Sequence, residues 1–292
     1  MSNSTAPSRL GWTAGLKTWS IYPALLWIAA FFALPLVAMA ALSFTERVSG
    51  GALGPFSLGN YAAFFTRSEG AFVKALVNSL EVTVIVTILS VILAYPLAYI
   101  LAYRIPVRWQ RLLLVLIVLP FWTSYVIRSY SWLLVLSENG ILNQILLDLG
   151  LIDRPLGMGN TRGATVLGFV HFFVMLLTLT TYANLVQIKD SYRKAAADLG
   201  ASSWQVFRHV TLPLSGPGVA IGAFLTFVLA IGDYITPQIL GGSRELLLPQ
   251  AIMLQVGRTA DFQMASALSI LLMLVVTMAY LLVARRLRMD RL

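Results

Sequence analysis

Six stretches of this chain are long enough to cross a bilayer while almost free of charge. They lie between Lys17 and Glu46, Glu81 and Arg104, Arg111 and Glu138, Arg162 and Lys189, Arg208 and Asp233, and Asp261 and Arg285; only the third is interrupted, by Arg128. A helix needs about 20 apolar residues to span the hydrocarbon core. Barrel strands alternate polar and apolar residues, and these runs do not. The spacing predicts an all-α, polytopic membrane protein with helices near 20–44, 78–103, 112–136, 164–186, 217–240 and 264–284. Composition agrees: 58% of the 292 residues are hydrophobic and 11% charged, against about a quarter charged in soluble domains. A water-soluble enzyme is excluded, and so is a disordered chain, which needs charge.

The formal net charge of +9 is a matter of topology. With the N-terminus in the cytoplasm, 13 Lys and Arg fall on the inner side and 7 on the outer, the bias expected of cytoplasmic segments. Both termini are expected inside, and no nucleic-acid partner is needed to explain the basic excess. Residues 1–19 form a cytoplasmic tail, 20–285 the membrane domain with a cytoplasmic loop at 187–216, and 286–292 a basic tail. Ala38-Met39-Ala40 resembles a cleavage site, but its apolar run is longer than a signal-peptide core and five more follow. With no cysteine and only His171 and His209, there is no disulfide framework and no metal or other cofactor site to expect.

The loop at 187–216 has its own character. Residues 190–199 are good helix formers, Gly200 suits a left-handed C-terminal cap, and Ser202 or Ser203 suits the cap of a second short helix. Trp204, Phe207 and Val210 then share one face, and Pro213 and Pro217 bracket the approach to the fifth span. Physics alone leaves two uses open, a pair of helices resting on headgroups or one docking on a partner. The pattern Ala195-Ala196, three residues, Gly200, nine residues, Val210-Thr211-Leu212-Pro213 resembles the EAA loop of permease subunits of ATP-binding-cassette importers. Lys194 stands where that family has Glu. Leu119-Pro120-Phe121-Trp122-Thr123, Asn139-Gly140, Asn143-Gln144 and Gly232-Asp233-Tyr234-Ile235-Thr236-Pro237 extend the similarity toward the spermidine/putrescine permeases, over roughly residues 20–285.

That resemblance implies the type I importer permease (MetI-like) fold in the cell inner membrane. It implies a coupling loop, carried by Lys194, Ala195, Ala196, Gly200, Leu212 and Pro213, that meets a cytoplasmic ATPase dimer. A second permease chain and a periplasmic solute-binding protein complete the expected set of partners. The chain itself is expected to be no enzyme: it has no GxxxxGK[ST], HExxH or GxSxG sequence. The solute would be a small cation, a polyamine first; another small organic solute is the alternative. A secondary transporter driven by an ion gradient would also explain intramembrane charge, but not the 194–213 loop.

Charges inside a membrane cost about 2.5–3.5 kcal/mol at its centre, so they need a reason. Asp233 and Arg128 are expected at similar depth in the outer third, with Glu81 at the mouth of the second helix. Asp233, with Glu81, either binds the cationic solute or merely neutralises Arg128; Glu81 alone could complement a helix N-terminus. Trp122, Tyr125, Ser129 and Trp132 fall within one arc of a straight third helix, facing a pathway through cation–π contacts or forming an interfacial belt. Gly218, Gly222, Thr226 and Ala230 recur every four residues, a stripe for close helix contact. His171 is expected to be hydrogen-bonded in the interior, with no functional role.

Overall fold

The computed structural model describes residues 21–47, 53–242 and 245–289. The expected tail 1–19 and the last three residues of the basic tail lie outside the described residues. Apolar runs become helices for the anticipated reason: within lipid only an internally bonded backbone is satisfied. In chain order these are α1 (Ile21–Ser43), α2 (Gly59–Thr66), α3 (Ala71–Tyr103), α4 (Val107–Val118), α5 (Tyr125–Leu136) and α6 (Ile141–Asp148). They continue with α7 (Arg162–Leu185), α8 (Asp190–Asp198), α9 (Ser203–Gly232), α10 (Ile235–Leu240), α11 (Leu248–Gly257) and α12 (Phe262–Met289). Five of them, α1, α3, α7, α9 and α12, are individually long and apolar enough to cross a membrane.

The third span in chain order is broken, which corrects the expectation of a straight helix over 112–136. A 3-10 turn at Leu119–Trp122 follows α4, the chain is extended at Thr123 and Ser124, and the two arms meet at 91°. Pro120 stands at the start of that turn and has no N–H to continue the ladder. The fifth span departs in the opposite sense. Its helix starts at Ser203 rather than 217 and runs unbroken through Pro213 and Pro217, ending at Gly232 instead of 240. A wider π-turn at Phe207–Thr211 precedes Pro213, relieving the carbonyl of residue i−4 against which a proline ring otherwise clashes.

The described residues also contain one departure from all-α. Thr45–Arg47 (β1) pairs antiparallel with Leu53–Phe56 (β2) just after α1. Asn60 fastens this ribbon by donating to the carbonyls of Ser43 and Thr45 at 3.0 and 2.9 Å.

α3 and α7 form the centre and α9 lies against both. Val82 and Val86 of α3 meet Phe169 and Phe173 of α7 and Ala230 of α9, all buried. The small-residue stripe works as expected. A side chain at Gly222 would stand 2.8 Å from Thr180 Oγ1 and 2.9 Å from Leu177 Cδ2 of α7, and Gly218 lies against Asn184. A second patch joins α2, α3, α11 and α12 through Phe64, Phe72, Leu248 and Leu268. On that side Asp261, 5% exposed, accepts the Met264 N–H at 3.0 Å and the Arg67 guanidinium at 3.2 Å, fixing the start of α12. α1 contributes only Ser43 to the interior and presents Leu26, Phe31, Phe32 and Val37 outward. It is a surface made for lipid or another chain.

Candidate functional site

Two polar regions stand apart from the apolar frame. The first is the turn between α8 and α9. Asp190 opens α8, where a carboxylate favours the N-terminal dipole, and it pairs with Lys194 Nζ at 3.0 Å and Arg193 Nη1 at 3.4 Å. At the other end Ala201 N–H donates to Ala196 C=O at 3.1 Å and Gly200 N–H to Ala197 C=O at 2.9 Å. This is the paired closure of a Schellman turn, which requires the left-handed residue that Gly200 supplies at φ +85°. Ser202 then caps α9: its Oγ accepts the Gln205 N–H while Gln205 Oε1 accepts the Ser202 N–H at 2.7 Å.

The turn is seated on the end of α3. The Arg193 guanidinium lies 3.9 Å from the Tyr103 ring centre, and Phe207 meets Tyr95 and Tyr99 edge-on. Trp204 stacks on Phe207 at 5.3 Å, as the shared face predicts. The outward side carries unpartnered apolar surface: Leu199 is 89% exposed, Trp204 64% and Tyr192 53%. Leu212 and Pro213 are part of α9 itself, so the turn has no hinge before the membrane.

The second region gathers where the broken span faces the end of α9. The helix stops at Asp233, whose Oδ1 accepts the Ile235 N–H at 2.8 Å and whose Oδ2 accepts the Thr236 hydroxyl at 2.8 Å. The Tyr125 hydroxyl, from the first turn of α5, donates to the same carboxylate and also meets Thr236. Asp233 is thus the acceptor that ends one helix and starts α10. Asp233 with Pro237 four residues on is the local sequence signal for that break.

Arg128 does not pair with Asp233. Its guanidinium lies 5.7 Å from the Tyr125 ring centre and 5.1 Å from that of Phe172, and its one hydrogen bond is a long one, 3.4 Å, to the Thr123 carbonyl. Nε and Nη1 are buried without an acceptor. One tyrosine therefore separates the cation from the anion. Trp132 Nε1 donates to His171 Nδ1 at 2.8 Å, so a neutral His171 carries its proton on Nε2, in the interior position expected of it.

The other expected members lie elsewhere. α3 begins at Ala71, so Glu81 is well inside it rather than at its mouth; it pairs with Arg162, which also reaches Glu245 at 3.8 Å. The elbow removes Trp122 from the arc of Tyr125 and Ser129 and leaves it 87% exposed. Thr236 and Phe172 complete the cluster; Thr236 entered the sequence reading only as part of the 232–237 motif, with no role of its own, and Phe172 looks like core.

A family model described as binding-protein-dependent transport system inner membrane component matches residues 94–289. The chain is 32% identical over 264 residues to the spermidine/putrescine transport system permease protein PotB of Salmonella typhimurium (strain SL1344), covering 90% of this chain and 91% of that protein. To PotB of Escherichia coli (strain K12) it is 31% identical over 250 residues, 85% and 90% of the two chains. Among solved structures, a bacterial ABC transporter involved in the import of the acidic polysaccharide alginate has the same fold, with a TM-score of 0.75 at 17% identity over 96% of this chain and 99% of that one.

Proposed function

The chain belongs to the family of binding-protein-dependent transport system inner membrane components, and from that membership we propose that it lines the route by which a polyamine, spermidine or putrescine, enters the cell. It is an ABC importer permease, a multi-pass inner-membrane transport component. ATP hydrolysis falls to a separate cytoplasmic ATPase dimer that docks on α8, Gly200 and the start of α9. A second permease chain completes the pathway, and a periplasmic binding protein delivers the solute. The polyamine assignment rests on the two relatives' names together with an acidic group, Asp233, held inside the membrane region.

One observation carries the mechanism: α9 is continuous for 30 residues from the capped turn to the residue before Asp233. At 1.5 Å per residue that is a lever of about 45 Å. Displacement of the turn by ATPase closure therefore moves Asp233 relative to Tyr125. Three donors occupy the carboxylate here, while an ionised carboxylate offers about four acceptor positions, which leaves room for an ammonium. Arg128 meanwhile occupies the ring faces of Tyr125 and Phe172, where a second ammonium of the solute would bind by cation–π attraction. Solute binding displaces Arg128, and its departure resets the site. Glu81 and Trp122 stand outside this core; Glu81, well inside α3, is held by Arg162.

The test is uptake of labelled spermidine by cells expressing the complete transporter. Uptake should stop when the partner ATPase is disabled and persist when the proton gradient is collapsed. The opposite pattern would replace this reading with an ion-driven carrier.

A further inference from the structure

We propose that the cavity between the end of α3 and the α8–α9 turn is a binding site for a phosphate group, supplied in the membrane by an anionic phospholipid. The cavity measures about 380 Å³ and is walled by Arg104, Arg193 and Lys194, with Asp190 as the only carboxylate, and by the rings of Tyr99 and Tyr103. Asp190 is already shared between Lys194 and Arg193. Arg104 has no carboxylate partner in the described chain, the Nε of Arg193 is buried without an acceptor, and the Tyr99 hydroxyl makes no hydrogen bond within it. Ser203, the first residue of the 30-residue helix α9, also lines the cavity. Its N–H is one of the orphan donors of a helix start, which favour an anion. Guanidinium, ammonium, phenol and helix N–H groups together are the donor set that recognises phosphate.

Position on the molecule points to a lipid as the source. Arg104 directly follows the span Ala71–Tyr103, and the cavity lies where that span and α9 leave the membrane. Leu93, Leu97 and Ile100 precede Arg104 at helical spacing along α3, and all three are about half exposed. They form an apolar track for an acyl chain whose headgroup rests on Arg104. Basic pockets between spans at the cytoplasmic surface take anionic headgroups in this way. Nothing in this depends on which solute is carried, so its failure leaves the polyamine reading untouched.

The full chain, purified in detergent, is presented with phosphatidylglycerol and phosphatidylcholine, and retained lipid is counted by native mass spectrometry. Wild type should keep phosphatidylglycerol in preference. Arg104→Gln should cut that preference about fivefold, the worth of one basic residue at an anionic surface. Arg104→Lys should retain it, as should Arg111→Gln, a basic residue on the same side that does not line the cavity. Inorganic phosphate separates the sources. If it strips the lipid and raises the melting temperature of wild type but not of Arg104→Gln, the site takes free phosphate; if it does neither, the headgroup is the ligand. Equal losses in Arg104→Gln and Arg111→Gln, or no lipid preference together with no phosphate effect, would overturn the proposal.

Discussion

The α8–α9 turn and the Tyr125–Asp233 cluster are both polar, both glycine- or proline-marked, and built on opposite plans. In the turn every cap closes within six residues: Ala196 to Ala201, Ala197 to Gly200, Ser202 to Gln205. In the cluster the central contact joins residues 108 apart in sequence. The turn would hold its shape on almost any scaffold, whereas the cluster exists only while α5 and α9 stay in register. That contrast suits a device in which a stiff input drives a conditional output. Breaking each region separately tests it.

The largest effect belongs to the cluster. Asp233→Ala removes the acceptor of three donors, and with hydrogen bonds to a charged group worth about 1.5–3 kcal/mol each, the chain should lose about 3 kcal/mol or more of stability. Thermal unfolding of the purified protein reads this directly. Asp233→Asn keeps the shape, so assembly should survive while spermidine uptake falls about tenfold or more. Adding Arg128→Gln should not restore it, because no ion pair joins the two. Recovery in the double variant would mean that they do pair during the cycle and would remove Asp233 from solute binding.

Next is the contact that holds α9 closely against α7. Gly222→Val places a branched side chain where a Cβ alone already meets Thr180 and Leu177 below 3 Å. Overpacking of this kind costs about 1–3 kcal/mol. The variant should melt earlier and release α9 from α7, seen as faster proteolysis between them, while the turn keeps its capped form.

These two regions were not equally legible in the sequence. The turn was, because capping obeys local rules: a helix run, then Gly, then Ser with Gln three places on. The Gly218–Ala230 stripe was legible for the same reason, a fixed period on one helix. The elbow at Thr123–Ser124 was not. Proline is no guide there, since Pro96 and Pro217 sit inside unbroken helices while Pro120 adjoins a break. What distinguishes them is tertiary: Tyr125 and Arg128 have partners on α7 and beyond α9 only if the chain turns. Glu81 was misplaced because the helix extends past the apolar run into Phe72, Ala75 and Ser79, whose burial against neighbouring elements outweighs the charge at Lys74.

A smaller change isolates the stiffness of the turn. Gly200 has φ +85° with nothing within 4 Å of an added Cβ, so backbone strain is the whole penalty for Gly200→Val, about 1–2 kcal/mol. Membrane insertion should be intact, and co-purification of the ATPase and uptake should both fall severalfold. Gly200→Asn, which tolerates the left-handed region better, should keep most of both. Equal loss in the two variants would point to contact with a partner at position 200 rather than conformation.

The smallest effect on the chain itself is expected at Lys194, and it separates shape from charge in the same turn. Lys194 is 74% exposed and has its one ion pair among the described residues with Asp190, one turn earlier. Such a pair is worth about 0.3–0.5 kcal/mol in a surface helix, and like charges at that spacing cost a similar amount. Lys194→Glu thus faces Asp190 with a second carboxylate, frees Arg193 to draw closer to Asp190, and should leave the melting temperature almost unmoved. Lys194→Ala should be indistinguishable from wild type in stability. If the turn is read by its partner only as a shape, both variants transport normally. Our expectation is otherwise: the ammonium is largely exposed on the turn proposed to meet the ATPase, so Lys194→Glu should weaken ATPase co-purification, more at low salt than at high, since exposed charges are screened by added ions. Lys194→Ala should fall between the two. A salt-independent loss would assign the effect to helix distortion, and the charge at this position would then have no part in recognition.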